Sequence, residues 1–113
     1  MEDRELLELA AMADGRKWLH YAKGSGKGLC CRDDSYGGLI EYYWNPLEDD
    51  GDALRLAVKL MTSIDFAKWS HTVFYDTGKF CQEEWKDKDQ YAATRRAIVR
   101  AAAEIGKSLT TNN

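Results

Sequence analysis

The change from strand to helix is clearest in residues 39–61, LIEYYWNPLEDDGDALRLAVKLM. Residues 39–44 are typical of a strand, and their alternation puts Ile40, Tyr42 and Trp44 on one face and Leu39, Glu41 and Tyr43 on the other. Asn45-Pro46 ends this strand, because the residue before a proline is held extended. Asp49 or Asp50 then caps a helix predicted to run to Met61, with its apolar stripe at Ala53, Leu54, Ala57, Leu60 and Met61.

The two ends of the chain predict further helices. The first covers residues 3–13, with Asp3 as its N-cap, Gly15 as its stop and an apolar stripe of Leu6, Leu9, Ala10 and Ala13. The second begins near Asp87 or Asp89 and stops at Gly106, with a stripe of Tyr91, Ile98, Ala102 and Ile105. We expect the tail 107–113 to fray.

The segments between the helices predict strands. Residues 17–22 read as one strand, 29–32 as a short strand, and 63–66 as a short strand or a turn. Residues 69–75 and 79–85 form a hairpin, in which Gly78 suits the left-handed position of the turn. The order α-β-β-α-β-β-α predicts a single α+β domain over residues 1–113, with three helices packed on a small antiparallel or mixed sheet.

Length and composition suit one ordinary globular domain. The chain has 113 residues, of which 44% are hydrophobic and 31% charged, so it is neither a disordered chain nor a collagen-like repeat. It has no apolar run of the ~20 residues that a membrane span needs, and its N-terminus is acidic where a signal peptide is basic. Three cysteines, two of them adjacent, favour a reducing cytosol over a disulfide framework.

Charge is segregated along the chain, although the net charge is only −3. Residues 16–32 carry five basic side chains and no acid, whereas residues 33–52 carry seven acids and no lysine or arginine. The mild net charge argues against binding to duplex DNA, which needs a broad basic face. The two blocks either neutralise each other across a hairpin or leave a basic loop for a ligand.

Several familiar motifs are incomplete. Gly24-Ser-Gly-Lys-Gly28 resembles a phosphate-binding loop, yet Tyr21 stands where the first glycine belongs and Gly28 replaces the required hydroxyl. A flexible surface loop is therefore expected at residues 23–28, and a looser contact of its lysines with an anion stays open. Residues 48–52 resemble a calcium loop but fit the start of a helix better.

The cysteines and histidines do not have the spacing of a metal site. Adjacent Cys30 and Cys31 point to opposite faces of a strand, so buried free thiols are expected for them and for Cys81. His20 and His71 lie in no recognisable nucleophile context. The sequence thus predicts no catalytic residue, no metal and no cofactor.

Aromatic residues crowd the first strand pair, where Trp18, Tyr21, Tyr42, Tyr43 and Trp44 occupy both faces. Most such rings pack in a core, and the rest can form a stacking surface beside basic residues. The predicted ligand-binding residues are Lys17, Trp18, Lys23, Lys27, Arg32, Tyr42 and Trp44.

Two stretches resemble a known family. Residues 44–60, WNPLEDDGDALRLAVKL, and residues 91–106, YAATRRAIVRAAAEIG, resemble small uncharacterised proteins of tailed phages and prophages. More distantly, the Trp-Asn-Pro junction is similar to the phage ABA-sandwich domain. The resemblance implies a small α/β sandwich and a viral accessory protein acting in a bacterial host, and it carries over no catalytic residue.

These observations lead to one leading hypothesis. We expect a phage-encoded accessory protein of the host cytoplasm that acts by non-catalytic binding, as a counter-defence that sequesters a nucleotide-type immune signal. The alternative is an anti-CRISPR-like inhibitor of a host defence protein complex, acting through the acidic residues 33–52. A second alternative is a small metal-assisted hydrolase. No membrane partner is expected, and self-association stays open.

Overall fold

Helices and strands alternate in the order α-β-β-β-α-β-β-β-α in a computed structural model of the chain. The structure describes residues 1–22, 26–35, 37–86 and 89–111. The helices are α1 (Asp3–Asp14), α2 (Asp50–Lys59) and α3 (Gln90–Thr111). The strands are β1 (Lys17–Ala22), β2 (Gly28–Asp33), β3 (Ile40–Trp44), β4 (Ser63–Ala67), β5 (Ser70–Tyr75) and β6 (Lys79–Glu84). The predicted α+β class is confirmed, and the short segments at 29–32 and 63–66 prove to be full strands.

The strands form two antiparallel sheets. Sheet A has the order β1-β2-β3, and sheet B has the order β4-β5-β6. In sheet A, Cys31 lies opposite Trp18 and Tyr42, and the next row on the same face joins Tyr21, Leu29 and Trp44. These rows hold the buried or partly buried side chains, so this face of sheet A packs against the core.

Helix α3 is the central element of the packing. It contacts α1, α2 and the strands β5 and β6. Its middle is buried on several sides, which explains its alanines, because small side chains let neighbouring elements approach closely.

Gly106 lies inside α3 and does not end it. A Cβ atom at this position would overlap the backbone carbonyl oxygen of Leu9, so α1 and α3 meet backbone to backbone here. The prediction that the helix stops at Gly106 is therefore wrong, since the helix continues to Thr111. Of the tail predicted to fray, residues 107–111 are helical and residues 112–113 lie outside the described residues.

Helix α1 differs from its prediction at its N-cap and in its buried stripe. Its N-cap is Glu2, without a side-chain cap bond, and not Asp3. Gly15 ends the helix with a φ of 74°, as predicted. The buried stripe includes Leu7, Ala11 and Asp14, where the periodicity favoured Leu9 and Ala13.

Helix α2 begins as predicted and ends earlier. The Asp49 side chain caps it by accepting a hydrogen bond from the Asp52 N–H at 2.8 Å, and the last helical residue is Lys59, not Met61. Leu56 is buried, whereas Leu54 and Met61 are exposed, so the predicted stripe is wrong at these two positions.

The hairpin of sheet B matches its prediction at the turn. Gly78 takes the left-handed conformation with a φ of 80°. Strand β5 begins at Ser70, because Trp69 has a φ of 73° and belongs to the turn before it.

At the start of α3, Asp89 accepts a hydrogen bond from the Tyr91 N–H at 2.8 Å, while the proposed cap Asp87 lies outside the described residues. Tyr91, predicted for the apolar stripe, is exposed.

No helix among the described residues combines the length and apolar character that crossing a membrane would need.

Candidate ligand-binding face of sheet A

The outward face of sheet A carries basic and aromatic side chains in two neighbouring rows. In one row Arg32 lies between Lys17 and Glu41, and in the next Cys30 lies between His20 and Tyr43. All of these residues except Cys30 are exposed. We call the exposed residues Lys17, His20, Arg32 and Tyr43, together with Lys27, the basic face.

A β-bulge in β1 produces this arrangement. The register shifts between Trp18 and His20, so Lys17 and His20 both face outward although three positions separate them. Trp18 and Tyr21 consequently face inward, where both pack against the core.

The Lys27 side chain adjoins the Tyr43 ring, with its Nζ atom 4.8 Å from the ring centroid. The tight approach of Gly28 to the end of β3 accounts for this position. Gly28 has a φ of 81°, and a Cβ atom there would overlap the carbonyl oxygen of Trp44. Only glycine fits so close to the end of β3, and Lys27 is thereby held next to Tyr43.

Asn45 joins the loop, the strand and the helix. Its side-chain Nδ2 donates to the Gly26 carbonyl at 2.7 Å, and its Oδ1 accepts from the Leu47 N–H at 3.2 Å. Its backbone N–H donates to an Asp52 carboxylate oxygen at 3.0 Å. The Asn of the Trp-Asn-Pro junction therefore holds Gly26 close to the end of β3.

Three aromatic residues of the predicted site lie on the inner face. Trp44 is 1% exposed, so no ligand ring can stack on it, and Trp18 and Tyr42 are partly buried against the core. Arg16 packs over Tyr42 and Trp44 of β3. Its guanidinium carbon lies 4.8 Å from the Trp44 ring centroid, and its Nη1 donates a 2.7 Å hydrogen bond to the Tyr42 hydroxyl. Burial raises the pKa of the Tyr42 phenol, although Arg16 opposes the shift.

Arg16 itself is held by a buried carboxylate. Its Nε donates to Asp14 at 2.5 Å. Burial lowers the pKa of Arg16, but Asp14 and Tyr42 raise it more, so the net shift is upward. Lys59 lies 3.3 Å from the other Asp14 oxygen. Arg16 and Lys59 are therefore already paired with Asp14 within the fold.

A cleft of about 270 Å³ opens beside the basic face. Lys17 and Arg32 line both the cleft and the face. The engaged residues Arg16 and Lys59 also line the cleft, together with the acids Asp14, Asp33 and Asp34. The Arg32 Nη2 atom lies 3.9 Å from an Asp34 carboxylate oxygen, which is a long distance for an ion pair, and 42% of the Arg32 side chain is exposed. Lys17 and Arg32 are therefore the cations best placed to meet a ligand.

The acidic block does not gather into one face. Asp49 caps α2, Asp52 accepts from the Asn45 N–H, and Asp50 pairs with Arg95 at 2.6 Å. Asp33 accepts from the Ser35 N–H and hydroxyl, which lowers the pKa of Asp33. Three acids lie near the basic block: Glu41 is a cross-strand neighbour of Arg32, and Asp33 and Asp34 line the cleft together with Lys17 and Arg32.

The predicted site is thus divided. Lys17, Lys27 and Arg32 lie on the basic face, and Lys23 is outside the described residues. Trp44 is buried, whereas Trp18 and Tyr42 lie on the inner face and are partly buried. Tyr42 also lines the cleft that Lys17 and Arg32 line. Tyr43 and His20, which are exposed on the basic face, were not among the predicted ligand-binding residues. The alternation of residues 39–44 already separated Tyr43 from Trp44 and could have indicated Tyr43 once the inward face was known.

The cysteines are free and buried, as expected. Burial raises the pKa of Cys31 to about 11. The ring of His71 is buried and contacts the Thr94 hydroxyl through Nδ1 at 2.6 Å. Among the residues that the structure describes, no three His, Cys, Asp or Glu side chains come together in a group that could hold a metal ion.

Comparison with known proteins identifies no relative of this chain. No protein-family model matches the chain, and no curated protein or solved structure matches it. Fold and site together define a class: a small α+β protein with an exposed basic and aromatic sheet face. The phage family that residues 44–60 and 91–106 resemble is not identified by these comparisons and stays a prediction.

Proposed function

We propose that this chain is a non-catalytic binding protein that holds a phosphorylated, nucleotide-type ligand on the basic face of sheet A. One observation carries the proposal. Lys17 and Arg32 are cross-strand neighbours on the exposed face, one row away from the exposed ring of Tyr43.

The spacing of the two rows suits a nucleotide. Positions two residues apart on a strand are about 7 Å apart, which allows one ligand to place a phosphate between Lys17 and Arg32 and its base on Tyr43. Lys27 beside that ring supplies a further cation.

The available contacts are strong enough for useful affinity. A base stacked on an aromatic ring contributes ~1–3 kcal/mol, and each charge-assisted bond to phosphate about 1.5–3 kcal/mol before ordering costs. One stacked base and two or three such bonds can approach the ~8 kcal/mol of a micromolar dissociation constant. Binding of this kind needs no catalytic group.

The biological setting follows from the resemblance alone. A phage accessory protein that binds a nucleotide-type immune signal in the host cytoplasm would act by sequestration. The competing hypothesis of an inhibitor with an acidic face has less support, because the acids of residues 49–52 are engaged at the start of α2.

A nucleotide panel tests the proposal. We expect at least one cyclic or linear nucleotide to raise the melting temperature, since ligand at a hundredfold excess over its dissociation constant stabilises the folded protein by ~2.7 kcal/mol. Lys17→Glu with Arg32→Glu should abolish the shift, and Tyr43→Ala should weaken binding at least tenfold.

The matched control is Lys79→Glu, which reverses an exposed charge on sheet B and should leave binding unchanged. Failure of every nucleotide to stabilise the protein would overturn the proposal. Equal affinity of the Lys17→Glu/Arg32→Glu variant and the wild type would place the ligand elsewhere.

A further inference from the structure

Glu41 is an exposed acid on the outward face of sheet A. It lies at the end of the row in which Arg32 is placed between Lys17 and Glu41. Along β3 it precedes Tyr43 by two positions, so both side chains leave the same side of the sheet, about 7 Å apart. The surface on which the proposed function places a nucleotide therefore includes a carboxylate.

The fold does not use this carboxylate. Arg32 is the cross-strand neighbour of Glu41, yet its guanidinium contacts Asp34, at 3.9 Å. Within residues 1–22, 26–35, 37–86 and 89–111, no basic side chain lies at ion-pair distance from Glu41. In this respect Glu41 differs from the acids at the start of α2, which pair with arginines of the same chain. Its acceptor oxygens are available to a ligand.

The ring of Tyr43 is approached by Lys27 from the side away from Glu41. Lys27 precedes Gly28, which lies against the Trp44 carbonyl at the C-terminal end of β3, and its Nζ atom is 4.8 Å from the ring centroid. Glu41 lies on the N-terminal side of the ring, which is 48% exposed. A base that stacks on the ring opposite Lys27 therefore lies next to Glu41.

We infer that Glu41 selects the base and that the ligand is a guanine nucleotide, an inference that rests on the proposed function. An ionised carboxylate only accepts hydrogen bonds, and it does so through two oxygens side by side. Guanine presents two adjacent donors on one edge, the ring N1–H and the 2-amino group, which match both oxygens. Adenine and cytosine place an acceptor nitrogen beside the amino group, and uracil flanks its one N–H with two carbonyl oxygens, so each turns a lone pair toward the carboxylate.

The charges across the row suit a ligand with a phosphate at one end and donors at the other. Positive charge lies on β1 and β2, at Lys17 and Arg32, and negative charge lies on β3, at Glu41. Neighbouring strands are about 4.8 Å apart, so Lys17 and Glu41 are separated by about 10 Å. A phosphate over Lys17 and Arg32 is thus kept away from Glu41, while the donor edge of the base meets it. The two bonds to guanine are charge-assisted and stronger than bonds between neutral groups.

Three nucleotides that differ only in the base test the inference. In calorimetric titrations, GMP should bind the wild type at least tenfold more tightly than AMP. IMP keeps the N1–H of guanine but lacks the 2-amino group, so its affinity should lie between the two. In Glu41→Gln the preference for GMP over AMP should fall below threefold, because an amide offers one acceptor and one donor where the carboxylate offers two acceptors.

The ratio of the GMP and AMP affinities is the deciding quantity, because the effect of a lost negative charge on phosphate binding cancels in it. Glu84→Gln changes an exposed glutamate of sheet B in the same way and should keep the wild-type ratio. Equal binding of GMP and AMP by the wild type, or an unchanged ratio in Glu41→Gln, would overturn the inference and leave the proposed function standing. If none of the three nucleotides binds, the inference is also overturned, and the wider nucleotide panel decides the proposed function separately.

Discussion

At the residue scale, Gly106 decides how closely α1 and α3 approach. Gly106→Ala adds a methyl group against the Leu9 carbonyl, and backbone cannot move aside as a flexible side chain can. We expect the free energy of unfolding to fall by about 2–3 kcal/mol, the upper range for overpacking. Chemical denaturation measures this change.

Gly38→Ala is the matched control, because a Cβ atom there meets nothing within 4 Å. It should leave the free energy of unfolding within about 0.5 kcal/mol of the wild type. A Gly106→Ala variant as stable as this control would mean that the two helices are not in backbone contact.

His71 makes stability depend on pH in a stated direction. Burial disfavours the charged ring, so the pKa of His71 lies below its ordinary value of 6.5. Well above pH 6.5 the ring is neutral in the folded and the unfolded chain. As the pH falls below 6.5, the unfolded chain takes up a proton that the folded chain resists, and the free energy of unfolding decreases.

The measurement compares denaturation curves between pH 5 and 7.5 for the wild type and His71→Gln. The variant should lose part of the decrease below pH 6.5, whereas the control His20→Gln, at an exposed position, should keep it. Glu83 lies opposite His71 in the ladder but pairs with Arg100, so it does not offset the burial of the ring. Identical slopes for the wild type and His71→Gln would contradict this account.

At the element scale, α2 presents two apolar sides, and only one of them packs inside its own chain. Leu56 is buried and Leu54 is exposed, although both are leucines two positions apart. Leu56→Asp should unfold the domain, because an unpaired buried charge costs several kcal/mol. Leu54→Asp should leave the fold intact. Circular dichroism and thermal melting distinguish the two, and equal melting temperatures would show that the buried side of α2 is misassigned.

The elements also show what could be predicted from the sequence. The Trp-Asn-Pro junction, the Asp49 cap and the left-handed glycines at positions 15 and 78 depend on local chemistry, and all were predicted. Gly106 inside α3 allows a close approach to the Leu9 backbone, more than ninety residues away in the chain, and periodicity cannot reveal such a contact. Periodicity also predicts a buried position for Leu54, but no other element of the fold covers this side chain, and it is exposed.

At the scale of the whole molecule, part of the candidate site could be predicted from the sequence, and part of it depends on how the sheet packs. The sequence predicted basic and aromatic residues around the first strand pair, and Lys17, Arg32 and Tyr42 line one cleft there. It could not tell which face of sheet A turns inward, because both faces carry rings. The bulge after Trp18 adds to this uncertainty, since it sends Lys17 and His20 to the same side. Tyr43 therefore takes the exposed position expected for Trp44.

The central claim is that the outward face of sheet A binds a phosphorylated, nucleotide-type ligand. The most direct measurement is a nucleotide titration followed by the backbone amide shifts of ¹⁵N-labelled protein. The account predicts that the largest shifts occur at the basic face, at Lys17, Lys27, Arg32 and Tyr43, and that the amides of sheet B stay in place. Absence of shifts with every nucleotide, or shifts confined to residues outside sheet A, would contradict it.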